Sequence, residues 1–455
     1  MTSALARLAS GTPARCFTLA GAGAGDVGPW LRLDPGIAIV DSPRAADVLL
    51  VLGRLDGELL QAAAAVHDAV PPPRGVVLWS PDGMTPERWP LSDVVVVREP
   101  GEIALTCRHL RDDLLGGRVA SSPDVLPDLE PAPWREVGPF GQGGTGMTGG
   151  VPYGRPLAGR ADDRDGLKLD QILVRVGPFL PPFPPGLLLE VKLQGDVIQE
   201  VTIPDTDAGD AVSPGDDGPS ADPNWDRHAP RPAESEDSPF TSALTRPVPI
   251  AELELARARH HLAWLAEALR VAGLEAYGLR VLKLAFGLDL DSAASIDALE
   301  RWLRRNLSLR WGTSGVGPVT RAQAEGLPGG PVARASGDDR DARSLDPAYT
   351  RIGFGPVVRD EGDALARWRL RVAEARQSLL LAKRSGASES TPSGVTEGPR
   401  GPIAAGASHS AGLVALLPEV LVGMEWGDAV TTVVSLDIGV LERTVRRVAP
   451  GARPL

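Results

Sequence analysis

The chain has 455 residues, enough for two or three domains with cores of their own and too many to need disulfides or metal ions as staples. Its formal net charge of -12, with no dense Lys/Arg cluster, argues against a nucleic-acid partner, because phosphate binding needs clustered positive charge. Two cysteines, Cys16 and Cys107, lie far apart and outside any C-x-x-C pair, whereas a cubane iron–sulfur cluster needs a thiolate on every iron.

The opening residues lack a basic stretch followed by an uninterrupted apolar run, so no signal peptide is expected. No segment reaches the roughly 18–20 apolar residues of a membrane helix. The best candidate, Gly177 to Val191, is broken by five prolines. The expected location is cytoplasmic, peripheral on the inner face of the cell membrane if a partner holds it there.

Four short runs, Ile37 to Asp41, Ala46 to Gly53, Gly75 to Ser80 and Asp93 to Glu99, are apolar on both faces and read as buried parallel strands. Leu55 to Val70 and Glu102 to Leu115 carry apolar residues at helical spacing between and after them. The alternation predicts a doubly wound α/β domain over residues 1–120. GAGAGDVG, Gly21 to Gly28, has no convincing strand before it and is not read as a dinucleotide fingerprint. Residues 121–137 are rich in Pro and acid and form a connector. GPFGQGGTG, Gly138 to Gly146, is a Gly-rich turn on its local chemistry.

A β-rich stretch is expected over 138–203, because Leu187 to Leu193 and Asp196 to Ile203 alternate like a half-exposed hairpin turning at Gln194-Gly195. Pro204 to Pro247 is crowded with Asp, Pro, Ser and Gly, so residues 204–248 are read as a disordered acidic linker. From 249 to 455 the pattern is helical. Ile250 to Leu288 reads as a hairpin or two long helices with a break at Gly273, and Ile296 to Leu307 as an amphipathic helix. Gly362 to Ala382 reads as a long helix whose Arg367, Arg371 and Glu374 are spaced by four and three, the pattern of an ion-pair ladder.

Gly315 to Arg343, GVGPVTRAQAEGLPGGPVARASGDDRDAR, resembles the signature of the large subunit shared by respiratory complex I (the 49 kDa or D subunit) and the [NiFe] hydrogenases: G-V-G, then G-P, R-A-S-G and D-x-R. E-L-x-R-x-x-x-H-L at Glu254, Leu255, Arg257, His261 and Leu262, and the Gly362 to Ala382 helix, resemble further elements of it. EGPRG at Glu397 and SLDIGVLER at Ser435 resemble two more. SPRAADVLLVLG, Ser42 to Gly53, is similar to the small (B) subunit of complex I. The resemblance thus implies both partners in one polypeptide: a small-subunit-like domain, the connector, a β-rich start and a helical large-subunit-like domain. In that family the small subunit holds a cluster on thiolates, and the hydrogenase large subunit binds nickel and iron on cysteines near its ends.

This chain departs from the pattern where the redox chemistry sits. The loops SPDGM, from Ser80, and REPGE, from Arg98, hold no cysteine, and neither a [4Fe–4S] nor a [NiFe] centre can be assembled from two thiols. The Gly138 to Gly146 segment aligns with a family hairpin that carries two histidines beside the quinone; Gly141 and Thr145 stand in their places. The resemblance leaves Arg257, His261, Gly141 and Thr145 as quinone-cavity candidates, with quinone as the one cofactor still open and no residue assigned as catalytic. Glu254, Arg334, Asp341, Arg343, Arg367, Arg371 and Glu374 form the expected structural charge network.

The expected function is therefore a redox-degenerate subunit of a complex I-like or hydrogenase-like membrane-associated assembly. It would seat other subunits, antiporter-like membrane subunits among them. The alternative is an NADH-quinone oxidoreductase-type subunit that binds quinone and receives electrons from a partner; the resemblance attaches quinone and NAD binding to that reading.

Overall fold

The computed structural model describes residues 12–55, 58–81, 91, 93–127, 158–163, 166–204, 238–386, 389–391, 394, 396–403 and 409–439. Its first part is a five-stranded parallel sheet of β1 (Ala14–Ala20), β2 (Ile37–Ile39), β3 (Val48–Leu52), β4 (Gly75–Trp79) and β5 (Val94–Val97), in the order β2-β1-β3-β4-β5. Every residue of β3 and β4 is buried, as strands covered on both faces require. Each large apolar side chain so buried contributes roughly 1.5–3 kcal/mol. On one face lie α1 (Val27–Leu31) and α3 (Ile103–Leu115), which cover Cys16, Val48, Leu50 and Val77 with Leu31, Cys107, Leu110 and Leu114. On the other, α2 (Glu58–Ala69) covers Phe17, Leu49 and Val51 with Leu59 and Ala63.

Two expectations change here. A strand, β1, does precede the Gly-rich loop, and it lies inside the sheet between β2 and β3. Its sequence, ARCFTLA, places one Arg and one Thr among the apolar residues and runs straight into Gly and Ala, which hides its end. The connector expected from residue 121 is also tied to the sheet domain at its start. His67 Nε2 lies 3.0 Å from Ser122 Oγ, and Val125 N donates to Asp68 at 3.0 Å.

The second sheet has four antiparallel strands, β6 (Gly159–Asp162), β7 (Lys168–Val176), β8 (Leu189–Gln194) and β9 (Val197–Thr202), so the expected hairpin is the second half of a meander. β7 escapes sequence reading because Leu169, Ile172 and Leu173 along it are exposed, which leaves it no clean inside–outside alternation. Val191, Ile198 and Val201 pack under helices named below, against Leu413, Leu417 and Val433.

The helical part contains α4 (Pro239–Ser242), α5 (Ile250–Val271), α6 (Glu275–Phe286), α7 (Ala293–Arg305), α8 (Leu307–Thr313), α9 (Arg321–Glu325), α10 (Gly330–Arg334), α11 (Pro347–Arg351) and α12 (Ala364–Ser385). The short pair β10 (Thr396–Glu397) and β11 (Pro402–Ile403) follows, then α13 (His409–Leu421) and α14 (Trp426–Leu436). Gly273 breaks the first hairpin with φ 78°. The helix expected to Leu307 ends at Arg305, and Asn306 caps a further one, its side chain accepting from Leu309 N. Residues 238–248, assigned to the disordered linker on composition, are folded: Phe240, Ala243 and Val248 are buried against Leu253 of α5. A few well-placed apolar side chains anchor them, which segment-average composition does not reveal.

α5 packs along α12 and α6, and Trp264, Leu265, Leu299, Trp368 and Leu379 form the core between these helices and α7. The parallel-sheet domain touches this bundle directly. Leu33 packs against the core, and Arg270 Nη1 of α5 lies 2.7 Å from Asp41 Oδ2.

Candidate functional site

Residues three and four apart on a helix share a face. On α5 this aligns Glu254, Arg257 and His261; on α12 it aligns Arg367, Arg371, Glu374 and Ser378. The two faces are packed together, so these charges meet inside the protein. Unpaired burial would cost several kcal/mol per ion, which is why each charge must find partners from other elements.

Glu254 is the first hub. Ser378 Oγ donates to one of its oxygens at 2.6 Å and Tyr349 Oη to the other at 2.7 Å, with Arg257 Nε and Arg343 Nη1 each at 3.3 Å. Burial opposes its ionisation, yet Arg257, Arg343 and the two hydroxyls hold it below the usual carboxylate range. Arg257 turns its remaining N–H groups to the carbonyls of Gly398 and Glu397, at 2.7 and 2.5 Å.

Glu374 is the second. Arg334 Nε donates to Glu374 Oε1 at 2.7 Å, while Arg334 Nη1 reaches Glu397 at 2.8 Å and Asp341 at 3.0 Å. Asp341 also receives Arg343 Nη2 at 2.8 Å. Burial raises the cost of the Glu374 charge, but Arg334 and then His261 pull its pKa well down. Glu397 moves the other way: burial, with Asp341 beside it, pushes its pKa up.

His261 lies between the hubs. Its Nδ1 is 3.2 Å from Arg371 Nη1, and its Nε2 is 3.1 Å from Glu374 Oε2 in a bent contact without good hydrogen-bond alignment. Burial lowers its pKa to about 3, with Glu374 opposing and Arg371 assisting. Arg371 also lies 3.1 Å from Asp437 Oδ2 at the end of α14 and stacks over Trp264. Asp437 further receives His260 at 2.8 Å and Arg400 at 3.1 Å; despite burial, Arg400 and Arg371 depress its pKa far below the usual range.

The structure thus brings together Glu254, Arg257, His261, Arg334, Asp341, Arg343, Arg371 and Glu374. Arg367 stands apart: it donates to Ser435 Oγ and the carbonyls of Gly362 and Gly317, and contacts no carboxylate among the described residues. The expected ladder along α12 does not form, because Arg367, Arg371 and Glu374 are each about 1% exposed and pair with other elements. Arg257 and His261, the quinone-cavity candidates that can be placed, are equally buried. Gly141 and Thr145 lie outside the described residues, as do Glu442 and Arg443. Sequence reading did not assign Tyr349, Ser378, Glu397, His260, Arg400 and Asp437 to the network. The motifs around Ser378, Glu397 and Asp437 offered a signal for three of them.

At the carboxyl edge of the parallel sheet, where strand order reverses between β1 and β3, open α/β folds place their ligands. Here the Gly-rich loop spends its closeness on the neighbouring loop. Ala22 and Arg54 exchange backbone hydrogen bonds of 2.8 Å, and a Cβ on Gly21 would sit 2.2 Å from the Arg54 carbonyl oxygen. Cys16 and Cys107 lie in one apolar cluster, where Cys107 and burial push the Cys16 thiol up. Two buried thiols do not fit the ligand set of an iron–sulfur or nickel–iron centre. Among the described residues no group of His, Cys, Asp and Glu is arranged to hold a metal ion, and no helix is long and apolar enough to cross a membrane.

Residues 290–400 match the family model for the respiratory-chain NADH dehydrogenase, 49 Kd subunit. That window runs from just before α7 to Arg400 and contains Arg334, Asp341, Arg343, Arg367, Arg371 and Glu374. The chain is 42% identical over 87 residues to a D-type subunit of the NADH-quinone oxidoreductase of Rhizobium etli, covering 18% of this chain and 22% of that protein. It is 34% identical over 105 residues to the H-type subunit of the NAD(P)H-quinone oxidoreductase of Prochlorococcus marinus, covering 22% and 26%. This protein therefore carries a region like the 49 kDa subunit in its C-terminal part and spans about a quarter or less of the length of these curated relatives. It also aligns with a chain of the membrane-bound sulfane sulfur reductase, an archaeal respiratory membrane complex, at 18% identity and a TM-score of 0.42, over 61% of this chain and 99% of the other.

Proposed function

We propose that this protein is a redox-degenerate subunit of a complex I-like or hydrogenase-like membrane-associated assembly, in which it docks other subunits. In this reading residues 1–120 are a small-subunit-like domain and residues 249–455 a large-subunit-like one. The fusion fixes the stoichiometry of two surfaces that must pack together. The Arg270–Asp41 and Leu33 contacts between the sheet domain and the bundle support that arrangement.

The observation that carries the docking role is the closure of the charge network. Arg257, His261 and Glu374 are each about 1% exposed and enclosed by protein groups, which leaves them no face toward a substrate. A proton donor to quinone must reach the bound molecule within hydrogen-bond range.

Affinity purification of the tagged full chain from gently solubilised membranes, with mass spectrometry and iron analysis, tests the proposal. Recovery with membrane-embedded subunits, including antiporter-like ones, and without stoichiometric iron on this chain is the expected result. Recovery of the chain alone, or stoichiometric iron with a paramagnetic signal, would overturn it.

A further inference from the structure

On the side of α12 away from the network, Arg369 and Val372 face Glu300, Leu303 and Arg304 of α7, and Arg359 closes the space between them. Together these residues line a cavity of about 280 Å³. Three guanidinium groups thus meet one carboxylate, Glu300. The cavity opens at the bundle surface, with Arg304 exposed and Arg359 and Arg369 half-buried.

The mismatch is not relieved elsewhere. Among the described residues no carboxylate pairs with Arg304, Arg359 or Arg369, and the buried Nε atoms of Arg359 and Arg369 have no hydrogen-bond partner. Arg359 is nonetheless held in place: its backbone N donates to the Arg334 carbonyl at 2.9 Å. A buried donor without a partner costs about 1–3 kcal/mol, so a site that keeps two of them is poised for an acceptor from outside.

We propose that this cavity binds a phosphate ester. Guanidinium forks match phosphate oxygens in paired, charge-assisted hydrogen bonds, and a phosphate offers enough oxygens to serve several forks at once. Leu303 and Val372 give the organic part of the ester an apolar wall. The volume lies near the lower end of small-molecule pockets, roughly 300 Å³, which suits a small ester or a headgroup rather than a dinucleotide. The ester comes either from a soluble metabolite or from an anionic lipid. Next to the cavity, α8 packs on α12 and leaves Leu307 and Trp311, one turn apart, 60% and 80% exposed, as a membrane surface would favour. The inference stands on the cavity alone and does not depend on the proposed assembly.

Two binding arms with the full chain test it: calorimetry with glycerol 3-phosphate, and flotation with phosphatidylcholine vesicles with and without phosphatidylglycerol. Binding in the first arm identifies a soluble ester, and binding in the second alone a lipid headgroup. In whichever arm binds, the R359Q/R369Q variant is expected to lose at least about tenfold in affinity, and E300Q to gain several-fold. No binding in either arm overturns the proposal, as does affinity unchanged in R359Q/R369Q. If that variant fails to fold, E300Q decides: unchanged affinity is then the refuting result.

Discussion

Arg371 Nη1 lies 3.2 Å from His261 Nδ1, and that single contact fixes the chemistry of the imidazole. A guanidinium can only donate, so Nδ1 must be the accepting lone pair and the ring proton must sit on Nε2, toward Glu374. The histidine is therefore neutral, in agreement with a pKa lowered to about 3 by burial. Nitrogen chemical shifts of His261 should show this tautomer, unchanged from neutral pH down to about 4. An imidazolium signal at pH 6 would refute the assignment.

The same group makes stability depend on pH with a definite sign. The folded pKa is below the free value of 6.5, so the unfolded chain binds more proton between about 3 and 6.5. The contribution is complete above 6.5 and is lost as the pH falls toward 3, at up to roughly 1.4 kcal/mol per pH unit. H261Q removes the titrating group, so its stability should fall less steeply across that window than the wild type's. Parallel urea-unfolding curves at a series of pH values would show whether the two slopes differ; equal slopes would count against it.

Replacing Glu374 by Gln leaves Arg334 facing Asp341 and Glu397 without its closest carboxylate. The expected loss is roughly 3–5 kcal/mol, because one partner of a buried pair is removed while the other stays buried. E374Q/R334M should cost more still, because Asp341 and Glu397 then lose Arg334 as well. A loss in E374Q near the size of an exposed pair, below about 1 kcal/mol, would mean that water reaches the network.

Two glycines of the motif region separate strain from collision. Gly315, at φ 75°, has open space around a would-be Cβ, whereas Gly362, at φ 65°, would place one 2.2 Å from the Val319 carbonyl oxygen. G315A should cost about 1 kcal/mol from backbone conformation alone. G362A should cost several times more, because the neighbour is backbone and cannot swing aside. Thermal unfolding of the two variants side by side gives the comparison, and similar losses would remove the steric argument.

Cys16 and Cys107 should resist thiol reagents in the native protein and react together on unfolding, since both are fully buried in one cluster. Fast native labelling of either would show that the sheet opens there.

The legible parts of the molecule were those with periodic patterns. The fully apolar runs of β2 to β5 and the helical spacing of α5 and α12 marked their elements to within a few residues. β1 and β7 were not legible, because one dissolves into Gly and Ala and the other exposes Leu and Ile. For the site, helix spacing placed Arg367, Arg371 and Glu374 on one face but could not say what that face meets. The ladder reading failed because the strongest partners are Arg334 and Asp437, tens of residues away in sequence. Tyr349 gave no warning, since a hydroxyl on a helix becomes informative only when a carboxylate such as Glu254 is packed against it.

Asp437 has one more consequence, and it concerns the order in which the protein is made. Its carboxylate ends α14 and serves His260, Arg371 and Arg400, all translated earlier. Until the ribosome delivers that residue, the guanidinium of Arg371 has no counter-ion on that side and the α5–α12 pair cannot close dry. The parallel sheet, whose strands all lie before residue 98, has no such wait. Nascent chains halted short of position 437 should therefore present a finished first domain beside a bundle still open to chaperones and proteases.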